Sequence, residues 1–338
     1  MSQIGDPSFQ QANHDFDCII IGGGISGLIA ATLLQRQGMK VIVLDKGRGI
    51  GGRLATRRIK YSAAIEGVFD YGTQYFSVKH PEFQPWVDDW LDREIIKEWC
   101  RGFGEVDDKP RYCGVNGTRG IAKYLARDLD VCTSTRVVKL TYDEQWLIET
   151  DGDRYYRGNF LIMTPPVPQS LKLLDDSGIN LAPDIRTSLE RVSYYGCIAV
   201  LALLEQPSKI PAPGGMAIES DSLVWLGDNY QKGISPQGYA VTLHATPGFS
   251  DDHWNNSDAE IADKLFAAAS PWLGSAVIKY QVHRWRYSLA DNLYDQPCLA
   301  LPELSLILAG DVFVAPKIEG AVLSGIAAAE SLKKVSSS

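Results

Sequence analysis

The spacing of apolar residues near the start of the chain predicts a strand, a turn, a helix and a second strand. Asp17–Ile21 is a short apolar run rich in β-branched residues, which is typical of a strand buried on both faces. Small and apolar residues then recur at helical spacing over Ile25–Gln37, and Gly38 follows as a C-terminal cap. Val41–Asp45 is a second apolar run. Such a unit is the context in which a glycine-rich turn between the first strand and the helix indicates dinucleotide binding.

The remainder of the chain alternates between helical and strand-like patterns. Apolar residues recur at helical spacing in four segments: Pro81–Cys100, Gly117–Leu129, Asp258–Ala269 and Gly320–Lys334. Strand-like runs occupy six segments: Arg136–Tyr142, Gln145–Thr150, Phe160–Met163, Gly196–Leu204, Gly238–Ala245 and Leu304–Ala309. The first two of these runs read as a hairpin. This mixture predicts an α/β fold.

Composition adds limits to this picture. The chain has 338 residues, and because a single hydrophobic core usually stops growing by about 250–300 residues, two domains are expected. The net charge of −8 argues against a nucleic-acid partner. No apolar stretch reaches the roughly 20 residues that span a bilayer, and the polar N-terminus does not resemble a signal peptide. A cytoplasmic protein with no membrane partner is therefore expected. The six cysteines form no CxxC pair and the five histidines show no ligand spacing, so neither a disulfide framework nor a metal site is expected.

Three glycines between the first strand and the helix match the GxGxxG fingerprint. Gly22 permits the tight turn, Gly24 lets the backbone approach a pyrophosphate, and Gly27 lets the helix pack closely on the strand. The free N–H groups and the positive end of the helix dipole then favour phosphate. Asp45 ends the second strand, where a carboxylate can accept hydrogen bonds from the adenosine ribose. The fingerprint by itself does not separate NAD from FAD.

Two further elements favour a flavin. Arg48–Arg53 follows the second strand and resembles the RxGGR element of the flavin amine oxidase superfamily, in which Arg53 can donate a charge-assisted hydrogen bond to pyrophosphate. The neighbouring Arg57 and Arg58 are interpreted as a solvated basic loop. Near the other end, Leu308–Asp311 ends a strand and Lys317–Ala321 opens the last helix. The small side chains of this helix leave space for an isoalloxazine ring; they are Gly320, Ala321, Ser324 and Gly325.

With these elements in place, the sequence resembles the renalase family, a branch of the flavin amine oxidase superfamily. The resemblance covers nearly the whole chain after residue 16. The segments that carry it are IIIGGGISGL, DKGRGIGGRLATRR, FDYGTQYF, GYAVTLHATPGFS, HRWRYS and AGDVF followed by KIEGAVLSG. The chain departs from many relatives in having Asp45 instead of Glu, Tyr71 instead of His, and an additional N-terminal arm.

The resemblance implies an FAD-dependent oxidase. Its substrates would be nicotinamide dinucleotides misreduced at the 2- or 6-position, which give hydride to flavin N5; the electrons then pass to O2, yielding NAD(P)+ and H2O2. No catalytic acid or base is expected, because a dihydropyridine is already electron-rich and needs only positioning. Monoamine oxidases attach FAD through a cysteine near the C-terminus. Because no cysteine follows Cys298, the FAD is expected to be non-covalent.

Two alternatives remain open. One is an oxidase or dehydrogenase that acts on an amine or another small metabolite, since one scaffold serves many substrates. The other is a non-catalytic flavin- or nucleotide-binding sensor. The choice between NAD and NADP as the parent of the substrate, and the oligomeric state beyond monomer or weak dimer, stay undetermined.

The site predictions fall into two sets. The predicted cofactor-binding residues are Gly22, Gly24, Ile25, Ser26, Gly27, Asp45, Lys46, Gly52, Arg53, Gln74, Val138, Gly310, Asp311, Gly320 and Ala321. The predicted substrate-binding residues, chosen because aromatic rings can stack on a nicotinamide and an amide can pair with its carboxamide, are Tyr71, Gln74, Trp225, His244, Trp285, Arg286 and Tyr287. Trp285 and Tyr287 share one face of a predicted strand and Arg286 lies on the other. At least one of these three is therefore expected to be structural.

The predicted architecture is an FAD-binding Rossmann-like domain, of the two-dinucleotide-binding kind, interleaved with an α+β substrate domain. The FAD-binding domain is assigned 16–77, 116–166 and 298–338. The substrate-binding domain is assigned 78–115 and 167–297. Residues 1–15 are interpreted as a flexible arm.

Overall fold

The computed structural model describes residues 15–104 and 107–336. The arm predicted over 1–15 lies outside the described residues, apart from Asp15, which already belongs to the first strand. The chain forms two compact units. Unit 1 comprises the described parts of 1–52, 122–193 and 290–338, and unit 2 comprises the described parts of 53–121 and 194–289.

The elements are numbered here in chain order. The strands are β1 (Asp15–Ile21), β2 (Val41–Leu44), β3 (Thr56–Lys60), β4 (Glu66–Asp70), β5 (Ile96–Cys100), β6 (Arg111–Gly114), β7 (Asp130–Cys132), β8 (Val137–Asp143), β9 (Gln145–Thr150), β10 (Tyr155–Met163), β11 (Tyr194–Leu204), β12 (Gly215–Ala217), β13 (Leu223–Asp228), β14 (Tyr239–Ala245), β15 (Val277–Ala290), β16 (Leu299–Leu301) and β17 (Leu306–Leu308). The helices are α1 (Ile25–Arg36), α2 (Gln84–Asp92), α3 (Arg119–Ala126), α4 (Val167–Asp176), α5 (Pro183–Glu190), α6 (Pro247–Asp252), α7 (Asp258–Leu273) and α8 (Ile318–Ser336).

Unit 1 is built on a sheet with the strand order β16-β17-β10-β1-β2-β7. The pairs β17–β10, β10–β1, β1–β2 and β2–β7 are parallel, and β8 and β9 extend β10 as an antiparallel meander. The central strands carry apolar residues on both faces because helices cover them: Ile20 and Val43 share a buried cluster with Leu34 of α1 and Ala328 of α8. The predicted α/β class is confirmed, with a parallel sheet at its centre.

Unit 2 contains a five-stranded sheet with the order β12-β13-β14-β11-β15. Alternate residues of β11 face opposite sides. Val200 and Leu204 pack in a cluster with Leu265 of α7, whereas Leu201 and Leu203 pack in a cluster with Phe69 of β4. Helix α7 therefore covers one face, and the antiparallel hairpin β3–β4 covers the other.

The units divide the chain differently from the predicted domains. Segments 53–77 and 116–121, assigned above to the FAD-binding domain, lie in unit 2, because Val68 donates its N–H to Ser235 Oγ and Thr118 donates its N–H to Asp70. Segments 167–193 and 290–297, assigned above to the substrate-binding domain, lie in unit 1. There Leu140 donates its N–H to Ser177 Oγ, and the N–H of Asp291 donates to the Ser193 carbonyl.

The helix predicted over Pro81–Cys100 is wrong in its second half. Helix α2 ends at Asp92, and Glu94 adopts a left-handed conformation with φ of 55°. The chain then enters strand β5, which carries Trp99. Within the described ranges, no helix is both long and apolar enough to cross a bilayer.

Candidate functional site

Two glycines of the glycine-rich turn in unit 1 have no room for a side chain. Gly22 has a φ of 107°, and a Cβ there would collide with Thr164 Oγ1, which donates to the carbonyls of Ile21 and Gly22. A Cβ on Gly27 would collide with the Gly22 carbonyl. These contacts agree with the tight turn and the close helix–strand packing expected of the fingerprint.

Gly24 and Ser26 mark the open side of this turn. Gly24 is the N-cap of α1, no side chain caps the helix there, and a Cβ on it would meet no atom within 4 Å. The Ser26 side chain is buried, and its Oγ has no hydrogen-bond partner among the described residues. A helix start that offers free N–H groups beside an unpartnered hydroxyl fits the pyrophosphate of a dinucleotide cofactor. Ile25, also predicted to contact the cofactor, is buried between these two residues.

The RxGGR segment lies directly against the turn. Gly51 donates its N–H to the Gly23 carbonyl at 2.8 Å and forms a bridge with Gly24, and the ideal Cβ position of Gly52 lies 3.7 Å from Gly24 Cα. The two backbone segments therefore run side by side, as expected for a paired phosphate cradle. Arg53 begins unit 2, where its Nη1 donates to the Ser288 carbonyl at 3.2 Å.

The carboxylate of Asp45 connects the glycine-rich turn to the segment that follows β2. Its Oδ2 accepts from the Gly23 N–H and its Oδ1 from the Gly47 N–H, both at 2.6 Å. The ribose role predicted for Asp45 stays a prediction, and the structure adds a bracing role that the sequence did not reveal. The neighbouring Lys46 donates to Gln169, and burial lowers the pKa of its ammonium group. Val138 lies at a bulge in β8 and is 39% exposed.

The C-terminal elements approach the same turn through small residues. Gly310 donates its N–H to Ser324 Oγ at 2.9 Å, and Asp311 is buried beside it. A Cβ on Gly325 would collide with the Ser26 carbonyl, so this glycine permits the contact between α8 and α1. The structure thus gives Gly325 a packing role and Ser324 a hydrogen-bonding role, and the expectation that both make room for a flavin ring stays a prediction.

Gly320 and Ala321 stand at the start of α8, one turn before these packing positions. A Cβ on Gly320 would collide with the backbone of Ala315, so this glycine allows the tight entry into the helix. Ala321 is 8% exposed. Both keep their predicted role beside the cofactor as a prediction.

In unit 2, three of the predicted substrate residues meet at the Tyr71 main chain. Its carbonyl accepts from Trp285 Nε1 at 2.9 Å and bonds His244 Nε2 at 3.0 Å. Because a carbonyl only accepts, His244 Nε2 carries the proton. The Tyr71 and Trp285 rings are stacked with centroids 5.2 Å apart, and His283 packs edge-on against both. We name Tyr71, His283 and Trp285 the aromatic wall.

The histidines around this wall are neutral at physiological pH. Burial lowers the pKa of His244 to about 4, and the charge of Lys232 acts in the same direction. Burial also lowers the pKa of His283 to about 4, with a further contribution from Arg57 and Arg284. The wall therefore presents aromatic surface and hydrogen-bonding groups without a titrating acid or base near pH 7.

Gln74 and Trp225 lie together beside Gly227. Gln74 is buried and its Nε2 donates to the Asp70 carbonyl at 2.7 Å, which fixes the amide. Gln74 Oε1 and Trp225 Nε1 are buried atoms without a hydrogen-bond partner among the described residues, and they lie 2.6 Å and 3.0 Å from the ideal Cβ position of Gly227. Trp225 also packs against three further rings, namely Tyr75, Trp99 and Phe103.

Two predicted substrate residues contact other groups. The Arg286 guanidinium lies 5.1 Å from the centroid of the Trp254 ring, on the opposite side of β15 from Trp285. Tyr287 packs edge-on against Tyr194. The substrate-binding role predicted for Arg286 and Tyr287 stays a prediction, as does the expectation that at least one of the three consecutive residues is structural.

A buried ion pair in unit 2, which was not predicted from the sequence, holds the segment that carries the predicted residues Tyr71 and Gln74. Lys232 Nζ donates to Asp70 Oδ2 at 2.9 Å and to the Gln74 carbonyl at 2.6 Å, and both charged side chains are at most 1% exposed. Asp70 Oδ1 accepts from Thr56 Oγ1 and from the N–H of Thr118. The pair therefore holds both ends of the segment that carries Tyr71 and Gln74. Within the described ranges, no cluster of three metal-binding side chains is found.

Comparison with known proteins identifies the family of the chain. The family model for flavin-containing amine oxidoreductases matches residues 96–333, and a model for an NAD(P)-binding Rossmann-like domain matches residues 20–93. Mouse renalase is 25% identical over 94% of this chain and 98% of its own length. A putrescine oxidase variant with redesigned cofactor binding superposes with a TM-score of 0.72 at 15% identity, covering 95% of this chain and 99% of its own. At that identity the superposition establishes the fold alone.

The family match and the relatives, together with the parallel sheet of unit 1, identify the class as a flavin-dependent oxidoreductase, and the cofactor is FAD. The chain belongs to the flavin-containing amine oxidoreductase family. Its similarity to renalase extends over nearly the full length, as the sequence motifs indicated.

Proposed function

We propose that the protein is a renalase-type oxidase that restores NAD(P)+ from nicotinamide dinucleotides misreduced at the 2- or 6-position. FAD held at the glycine-rich turn around Gly22, Gly24 and Ser26 would supply a two-electron acceptor, with O2 as the final oxidant and H2O2 as the second product. The similarity to mouse renalase over 94% of the chain supports this proposal. The residues of the chain have to bind and orient the dihydropyridine and to keep competing groups away from it.

The main structural support for this proposal is the arrangement of the aromatic wall. Tyr71 and Trp285 are stacked, and their mutual orientation is fixed by the hydrogen bond from Trp285 Nε1 to the Tyr71 carbonyl. Stacked rings suit a flat, uncharged, electron-rich substrate ring. His244 and His283 are neutral, and no described carboxylate is hydrogen-bonded or ion-paired to the side chains of the wall. A substrate that needs no general base fits this environment better than an ammonium ion that must first lose a proton.

The test is anaerobic mixing of the purified yellow protein with a panel of reductants. The panel contains the 2-dihydro and 6-dihydro isomers, ordinary 4-dihydro NADH and NADPH, and primary and secondary amines. Rapid bleaching of the flavin absorbance by the isomers, with no comparable bleaching by amines, is the expected result. Bleaching by an amine alone would assign the amine oxidase alternative, and no rapid bleaching by any compound would leave the sensor alternative.

The proposal includes three further properties. The FAD is held non-covalently, since no cysteine lies between Gly310 and Ser338, the region that corresponds to the attachment site of monoamine oxidases. The protein acts in the cytoplasm and is a monomer or weak dimer. Release of the flavin on acid precipitation checks the first property, and light scattering across a concentration series checks the oligomeric state.

A further inference from the structure

The arginine that follows the cofactor-binding segment by four residues has an unusual environment. Arg57 is the second residue of β3 and is partly buried. Its Nη1 donates to Gln281 Oε1 at 3.0 Å, and its guanidinium carbon lies 5.1 Å from the centroid of the Tyr71 ring. Both partners are uncharged. Among the described residues no carboxylate is ion-paired with Arg57, although the chain carries 41 acidic residues against 33 basic ones.

The neighbouring arginine shows the ordinary alternative. Arg58 points to the other face of the same hairpin, its side chain is 61% exposed, and its Nη1 pairs with Glu66 Oε1 at 2.9 Å. The two residues share a strand, a residue type and a sequence context, so the difference lies in what each faces. Both arginines lie in strand β3, so their interpretation as a loop is wrong; the expected solvation holds for Arg58 but not for the partly buried Arg57.

The groups around Arg57 leave its charge uncompensated. Gln281 is an amide, Tyr71 presents its ring, and His283 is a neutral imidazole whose pKa is lowered in part by Arg57 itself. Arg284, which also lowers the pKa of His283, adds positive charge, and its own Nη1 is paired with Asp258. The remaining guanidinium N–H groups of Arg57 have no partner among the described residues and are not sealed from solvent.

We infer that Arg57 binds the anionic pyrophosphate of the dinucleotide substrate, at the edge of the aromatic wall that takes the nicotinamide ring. This inference rests on the proposed function, because it assigns the phosphate-binding part of the same substrate site. A guanidinium gives planar, paired hydrogen bonds to phosphate oxygens, and here Gln281 and Tyr71 fix its orientation before the ligand arrives. The fixed orientation reduces the entropy lost on binding.

The test compares Arg57→Gln with Arg58→Gln in the flavin-loaded protein, using two substrates. One is the full dihydronicotinamide dinucleotide isomer, and the other is the corresponding riboside, which lacks phosphate. Arg57→Gln is expected to raise KM for the dinucleotide about 10- to 100-fold, the range for loss of hydrogen bonds to a charged group, and to leave KM for the riboside unchanged. Arg58→Gln should change neither. An equal rise for both substrates would overturn the inference, because it would indicate a disturbed aromatic wall.

A binding measurement separates this inference from the proposed function. Titration calorimetry of the flavin-loaded protein with ADP-ribose and with inorganic pyrophosphate requires no turnover. Weaker binding of both ligands to Arg57→Gln, with partial recovery in Arg57→Lys, supports the anion site even if the isomers are not oxidised. Equal affinity of the wild-type protein and Arg57→Gln for these ligands would refute the site, even if the isomers are oxidised rapidly.

Discussion

The buried Asp70–Lys232 pair allows a prediction whose size follows from its contacts. In Lys232→Met a side chain of similar length loses its ammonium group. Asp70 Oδ1 keeps the donors Thr56 Oγ1 at 2.6 Å and Thr118 N at 2.9 Å, whereas Oδ2 loses the Lys232 Nζ that lies 2.9 Å away. Removal of one partner of a buried pair leaves an uncompensated charge and costs about 3–5 kcal/mol. We expect Lys232→Met to lose about this much unfolding free energy.

A double-mutant cycle isolates the pair from general damage. Asp70→Asn removes the negative charge that Lys232→Met leaves unpaired, so the double variant should be more stable than Lys232→Met alone. Urea unfolding followed by circular dichroism gives the four free energies. The same variants report on the site, because Lys232 Nζ also donates to the Gln74 carbonyl at 2.6 Å. KM should therefore rise in Lys232→Met, with a smaller change in kcat.

The control is Lys172→Met, which removes an exposed ion pair with Asp176 on α4. Such a pair contributes about 0–1 kcal/mol, so the unfolding free energy should hardly change. A loss below about 1 kcal/mol in Lys232→Met, or strict additivity in the cycle with Asp70→Asn, would refute the reasoning, since either result means that the two charges are not coupled.

Three further predictions concern the turn, the histidine and the wall. Gly24→Val should fold, because a Cβ at Gly24 meets no protein atom within 4 Å, but it should lose its flavin, because the side chain blocks the approach of the pyrophosphate to the backbone. Gly27→Val should unfold more readily, because its Cβ collides with the Gly22 carbonyl. The ratio of flavin to protein absorbance and a thermal melt distinguish the two variants. His244 has a folded pKa of about 4, below its unfolded value, so its contribution to stability is complete above pH 6.5 and declines as the pH falls towards 4. Between these pH values the wild-type protein should lose about 1.4 kcal/mol of unfolding free energy per pH unit relative to His244→Gln. Parallel plots of unfolding free energy against pH for the two proteins would contradict this prediction. Trp285→Phe removes the donor to the Tyr71 carbonyl but keeps a ring, and should raise KM for the dihydronicotinamide isomer roughly fivefold, as expected for loss of one hydrogen bond; an unchanged KM would argue against the fixed wall.

The parts of the fold that the sequence predicted well are encoded locally. The predicted strand Asp17–Ile21 lies within β1, and the predicted helix Ile25–Gln37 matches α1 to within one residue. Both depend on residues that are close along the chain: apolar runs, a capping glycine and a fingerprint with fixed spacing. The choice of Tyr71 and Gln74 as site residues rests instead on the resemblance of the FDYGTQYF segment to the renalase family, and it stays a prediction.

The parts that were missed depend on distant residues. Asp70 and Lys232 are 162 positions apart in the sequence. No local pattern predicts that this aspartate is buried and pairs with a lysine that follows β13. The break after α2 depends on Glu94 in a left-handed conformation, which glutamate rarely adopts. Arg57 and Arg58 look equivalent in the sequence, and only the packing of the β3–β4 hairpin distinguishes the neutral surroundings of one from the ion pair of the other.

The most direct measurement of the central claim is the product balance of aerobic turnover. The flavin-loaded protein is incubated with a pure 6-dihydro or 2-dihydro nicotinamide dinucleotide, and the products are separated by chromatography while H2O2 is assayed in parallel. We predict one NAD(P)+ and one H2O2 for each isomer molecule consumed, with 4-dihydro NADH left intact. Failure to consume either isomer, in a preparation with full flavin content, would contradict the account.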